Sequence, residues 1–205
     1  MSPILSFEWP FILSLITFAA TMTGTPGPNN LMVTASGANF GYRCTVPHML
    51  GIGCGLVSMI LLVAAGLGVV FVQFPVLHDA LRWLGSGYLL YLAWKIGFSS
   101  SSLADTEHEA KPMSFMAAAS FQYVNPKAWM MSVTAISTFS FTGELYWYSV
   151  SAIAAIFFLV CYPSVSLWAG FGIFIRRWLA QEKTRRIFNG LMGVLTAGCV
   201  VMIWQ

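Results

Sequence analysis

Charge is what this sequence has least of. Only 8% of its 205 residues are Asp, Glu, Lys or Arg, where a soluble domain carries roughly a quarter. Apolar residues make up 58% and the mean hydropathy is +0.75, a balance that argues against a water-soluble fold. No polar stretch is long enough to form a separate aqueous domain. The net charge of +3 is not gathered on a basic face, so nucleic acid is not an expected partner. Cysteine is sparse as well. Cys44, Cys54, Cys161 and Cys199 lie in or beside apolar runs without CxxC spacing, which predicts free thiols and offers neither a disulfide framework nor a zinc site. Paired carboxylates, HExxH, a Ser-His-Asp grouping and a phosphate loop are all missing, so neither an enzyme nor a metal or cofactor is expected. The N-terminus lacks Lys and Arg before its first apolar run and a small-residue cleavage site after it. It reads as a retained first span rather than a signal peptide.

What the sequence does have is a succession of charge-poor apolar runs. Trp9 to Tyr42 and Cys44 to His78 contain no residue of Lys, Arg or Glu and none of Asp, and supply two long spans. Pro47 suits the first turn of the second, and Pro75 is expected to close it. A third span runs from about Leu81 to Phe98, with Arg82 and Lys95 near its ends where they can snorkel. Ser99 to Lys111 is the one hydrophilic stretch and reads as a linker. Spans four and five cover about Ser114 to Phe141 and Leu145 to Phe174, the latter with Pro163 as an expected kink. A basic stretch, Arg176 to Arg186, precedes a last span from Ile187. The expected fold is an all-α membrane protein with six transmembrane helices, divided into a first three-helix half (1–98), a cytoplasmic linker (99–112) and a second half (113–205).

Basic residues fix the orientation, because they are retained in cytoplasmic loops. With the Arg176 to Arg186 loop inside, alternation also places Arg43 and the Lys95 to Lys111 segment inside. Eight of the ten Lys and Arg residues then lie on that side, leaving Arg82 outside and Lys127 within a span. Both termini are predicted to be periplasmic.

Two spans should be broken. Trp9 to Phe40 exceeds the roughly 20 residues that cross a bilayer, and it contains Thr25-Pro26-Gly27-Pro28-Asn29-Asn30. The prolines block a continuous helix, Gly27 permits unusual dihedrals, and the two amides offer donors and acceptors to the freed backbone. The fourth span carries Asn125-Pro126-Lys127 near its middle. Lys127 is too deep to snorkel, so it should face the bundle interior or a wet cavity and meet a partner there. No Asp or Glu lies within a span to serve, which leaves the substrate or backbone carbonyls. Three spans per half make the halves inverted repeats, and matching breaks in their first helices near the midplane point to a transporter site. The half-helix N-termini that begin at these prolines, with Lys127, favour a carboxylate. Carbonyls ending the preceding half-helices suit an ammonium. Candidate binding residues are therefore Thr25, Gly27, Asn29, Asn30, Asn125 and Lys127, with Pro26, Pro28 and Pro126 as the breakers.

The chain resembles the LysE/RhtB family of amino-acid exporters along nearly its whole length. The resemblance is carried by TPGPNN at Thr25 to Asn30, Gly37 and Gly41, GSGYLLYLAWK from Gly85 to Lys95, and NPKA from Asn125 to Ala128. It is most similar to the branch that exports small neutral amino acids, including cysteine and O-acetylserine, in its LAWKI segment and from Lys111 to Phe139. The resemblance implies a multi-pass exporter of the bacterial inner membrane that uses the proton gradient to move an amino acid of the cysteine/O-acetylserine or homoserine/threonine type. A passive channel or facilitator for small zwitterions is the alternative. Without an intramembrane acid, candidates for coupling are Lys127, His48 and the substrate itself. The bland readings are a plain loop at TPGPNN, a structural lysine in a kink at Asn125 to Lys127, and His48 as an interfacial residue. Tyr88, Tyr91, Trp83 and Trp94 read as interfacial or packing aromatics. Gly37 with Gly41 and Gly51 with Gly55 have the spacing that lets helices approach, within one chain or in a homodimer. The expected partners are the lipid bilayer and a small amino acid.

Overall fold

A computed structural model describes residues 9–67, 73, 75–98, 112–179 and 181–204. The hydrophilic linker expected at 99–111 lies outside the described residues. Among those described, the chain is all-α, with eight α-helices and no strand.

Helix α1 spans Trp9–Gly24 and α2 Pro28–Phe40. The first apolar run is thus interrupted at residues 25–27, and Pro28 occupies the first position of α2, where its missing N–H costs nothing. At 1.5 Å per residue the two pieces rise roughly 24 and 20 Å, so neither alone crosses a hydrocarbon core of about 30 Å while their sum exceeds it. Gly41, at φ 82°, turns the chain into α3, Tyr42–Leu62, which has Pro47 inside its opening turns. It continues as a π-helical turn, Val63–Leu67. Pro75 is helical, within α4 (Pro75–Gly97), rather than a terminator of the second span.

Helix α5 (Phe115–Phe121) is capped by Ser114, whose hydroxyl accepts from the Ala117 amide. It tightens into a 3₁₀ turn, Gln122–Val124, and stops at Asn125. Helix α6 (Pro126–Phe139) restarts with Pro126 at its first position. Helix α7 (Tyr146–Arg176) remains helical through Pro163. Helix α8 begins at Glu182, earlier than the Ile187 expected from the apolar run, and reaches Gly198. Lys183, Arg185 and Arg186 consequently lie on its first turns rather than in a loop.

Helix α7 is the central post, packed by α1, α2 and α3. Its Ile153, Phe157, Val165 and Ala169 join Met49, Ile52 and Leu56 of α3 and Leu15 of α1 in the main core. A second cluster, built on Met32, Leu89, Leu92 and Phe121, lies where α2, α4 and α5 meet. Glycines set the closest crossings. A Cβ at Gly37 would collide with the Ala169 carbonyl, and one at Gly172 with that of Thr34, so α2 and α7 touch backbone to backbone. Gly51 and Gly55 do the same for α3 against Phe115 and Ala119. These small-residue faces are occupied within one chain, while Gly41 serves the turn. Outward faces carry Leu13, Leu159, Leu167 and Val194, all strongly exposed. Tyr42–Leu67 and Gly143–Arg176 are each long and apolar enough to cross a membrane, and Trp9–Gly24 is a shorter apolar helix.

Candidate functional site

Breaking a helix frees carbonyls, and each must find a donor. From Met22 to Gly27 every one does. The Met22 carbonyl accepts from Thr25 Oγ1 (3.3 Å), that of Thr23 from Asn30 Nδ2 (2.9 Å), and that of Gly24 from the Trp168 indole (3.0 Å). The Thr25 carbonyl accepts from Asn30 Nδ2 at 2.7 Å and from Lys127 Nζ at 2.8 Å. Lys127 Nζ also reaches Thr25 Oγ1 (2.8 Å) and the Pro26 carbonyl (3.3 Å). The Gly27 carbonyl takes the first amide of α2, from Leu31, at 3.0 Å. Asn30 is therefore a backbone clamp, buried at 3% exposure.

Lys127 reaches the break because Gly27 has no side chain. A Cβ there would stand 3.1 Å from Lys127 Cδ and 3.3 Å from Nζ. The lysine is half-buried, while Thr25 and Pro26 are exposed. Its ammonium thus extends from the helix contact toward the edge of the bundle, and backbone carbonyls rather than a carboxylate receive it.

The second break is tied to the first by amides. Asn29 and Gln122 exchange two hydrogen bonds, Nδ2 to Oε1 at 2.9 Å and Nε2 to Oδ1 at 3.2 Å. Asn125 Nδ2 lies 3.4 Å from the same Gln122 oxygen. Asn125 Oδ1 accepts from the Lys127 amide at 3.2 Å and so caps α6. The N-terminus of α2 carries no side-chain cap. Of the two half-helix N-termini, the one at Pro28 is left without a side-chain partner, in a setting that suits an anion.

The structure thus brings Gly27, Asn29, Asn30, Asn125 and Lys127 around one small pocket, with Thr25 and Pro26 gripping the lysine from its rim. Its free volume is about 20 Å³, room for about one water. Apart from Lys127 its walls are neutral, with Ile52, Leu56, Met131 and Cys161 facing the amides. Two participants escaped the sequence reading. Gln122 is fully buried, and a lone amide inside the apolar run Phe115 to Val124 was the available signal. Trp168 gave none. His48, expected at an interface, is 1% exposed. The four cysteines are free thiols.

Among the described residues the chain is an all-helical bundle with exposed apolar faces and a lysine bound to the carbonyls between α1 and α2. Residues 20–203 match the LysE type translocators, and the chain belongs to that family. It is 33% identical to the cysteine/O-acetylserine efflux protein of Escherichia coli (strain K12) over 198 residues, 95% of this chain and 98% of that relative. It is 30% identical, with the same coverage, to the cysteine/O-acetylserine efflux protein of Salmonella typhimurium (strain LT2). No solved structure matches the chain.

Proposed function

We propose that this protein is a secondary transporter that exports small, mainly neutral amino acids across the bacterial inner membrane, driven by the proton gradient. The observation that carries the reading is the Lys127 ammonium, held by the Thr25 and Pro26 carbonyls beside the uncapped N-terminus of α2. That arrangement is a zwitterion site with a protein cation standing in for the substrate's ammonium. When an amino acid arrives, its carboxylate attracts Lys127 and the α2 N-terminus, and its ammonium takes over the carbonyls that Lys127 releases. Neutral walls and small volume disfavour charged or bulky side chains, since a second buried charge would lack a partner. The cysteine/O-acetylserine efflux relatives support a substrate of that size.

In this reading Trp9–Phe40 and Ser114–Phe139 are the two interrupted spans of inverted three-helix halves, their breaks lying near the midplane on either side of the Asn29–Gln122 pair. A pocket of about 20 Å³ has to widen to admit an amino acid.

Proteoliposomes with an imposed pH gradient test the proposal. Uphill uptake of cysteine or O-acetylserine is expected, with Lys127→Ala and Asn29→Ala lowering the rate at least about tenfold, the size of one lost charge-assisted contact. Movement that only equalises concentrations would make the protein a passive facilitator. Variants that insert normally and transport like the parent would remove the site.

A further inference from the structure

A second, larger cavity lies beyond the Asn29–Gln122 pair toward the C-terminal end of α2. It borders α2, α3 and α4 near the start of α5 and has a volume of about 340 Å³, within the range of small-ligand pockets. Helix α2 contributes Met32, Ser36 and Asn39 to its wall, and α4 contributes Tyr88, Tyr91 and Lys95. Met32 follows Asn29 by three residues, a rise of about 4.5 Å along the helix, so the cavity begins about one turn beyond the Asn29–Gln122 pair.

The polar groups that α2 contributes to this wall are already satisfied. Ser36 pairs with Thr45 at 2.9 Å, and Asn39 donates to the Ala35 carbonyl and to Asn189 Oδ1, each at 2.9 Å. His48 is different. It is 1% exposed, and neither of its ring nitrogens has a hydrogen-bond partner among the described residues. Orphaned buried nitrogens of this kind are rare in folded proteins and need an explanation. A neutral imidazole presents one donor and one acceptor. Lys95, exposed on α4 beside the cavity, forms no ion pair among the described residues. Lys95 and His48 border one cavity as a cation and an imidazole without partners, a pair that complements a zwitterion once the buried ring turns toward the cavity.

We propose that this cavity is a second binding compartment for the transported amino acid, in which Lys95 holds the carboxylate and the His48 ring turns from its buried position so that its free nitrogen accepts from the ammonium. The inference rests on the reading of the chain as an amino-acid exporter. The amino acid waits here, one helical turn short of the amide pair, until Asn29 and Gln122 part and Lys127 leaves the carbonyls. Tyr88 and Tyr91, stacked with centroids 6.0 Å apart, line the side of the compartment where the substrate's side chain rests.

Ile96, partly exposed, borders the same cavity and provides a reporter. In a transport-competent protein whose four native cysteines are replaced, Ile96→Cys is labelled with a small methanethiosulfonate in the presence and absence of O-acetylserine. The amino acid is expected to slow labelling at least about tenfold when bound near saturation. His48→Leu should abolish that protection, and Lys127→Ala should leave it intact while stopping transport. Protection without transport by the parent would overturn the exporter reading and leave the compartment standing. Normal transport with no protection, or with protection indifferent to His48→Leu, would overturn the compartment. If the cysteine replacements prevent folding, Lys95→Gln in the native background decides. A rise of about tenfold in the half-saturating concentration with the maximal rate nearly unchanged, reversed by Lys95→Arg, is expected. An unchanged half-saturating concentration refutes the role of Lys95 and with it the compartment.

Discussion

Gln122 shows how much one neutral side chain can hold. Its amide satisfies Asn29 and contacts Asn125, and it donates back to the Ala118 carbonyl at 2.9 Å. Replacing it with leucine keeps the bulk but leaves the half-buried Asn29 amide without its pair, at a cost of about 1 kcal/mol. Thermal unfolding in detergent should show Gln122→Leu melting below the parent, and a melting point equal to the parent's would mean the pair is not closed in solution. Much of this cluster was legible, because an ammonium and several carboxamides stand out in a run of apolar letters. The partners of Lys127 were not, since the carbonyls of Thr25 and Pro26 belong to the backbone that every residue shares. Gln122 was passed over because a single amide beside Asn125 carries no breaker of its own.

At the scale of the element, proline and glycine had clear meanings that differed in reliability. Two prolines around Gly27 mark a break wherever they occur, and the chain indeed leaves the helix there. Pro75 was ambiguous because its effect depends on which flank is helical. The glycines were legible as close-packing positions, but not their neighbours, which come from elements distant in the sequence: Phe115 for Gly51, Ala119 for Gly55 and Ala169 for Gly37. Gly37 meets the backbone of Ala169, and such a contact has no side chain to yield. Gly37→Ala is therefore expected to lose about 1–3 kcal/mol through overpacking. Gly87, with nothing within 4 Å of a built Cβ, is the control: Gly87→Ala should be neutral or slightly stabilising, because alanine favours a helix by about 1 kcal/mol. Equal melting points for the two variants would contradict the backbone contact between α2 and α7.

Across the whole molecule, charge placement predicts an orientation, whereas side-chain packing sets the cavities. The cavities depend on distances between helices that no single apolar run contains. Tags and single cysteines placed at the two ends should be reached by impermeant reagents from the periplasm, whereas Arg43 and Lys183 positions should react only from the cytoplasm. A C-terminus labelled from the cytoplasmic side would reverse the predicted topology. The fully satisfied row of carbonyls from Met22 to Gly27 has a further consequence, for the order in which the protein is made. Two of its donors, Lys127 and Trp168, lie more than a hundred residues downstream. When the first break leaves the ribosome, the groups that neutralise it have not yet been translated. The nascent chain must hold that segment in water or against the insertion machinery until α6 and α7 arrive, so completion of the first helix is the last step of its assembly.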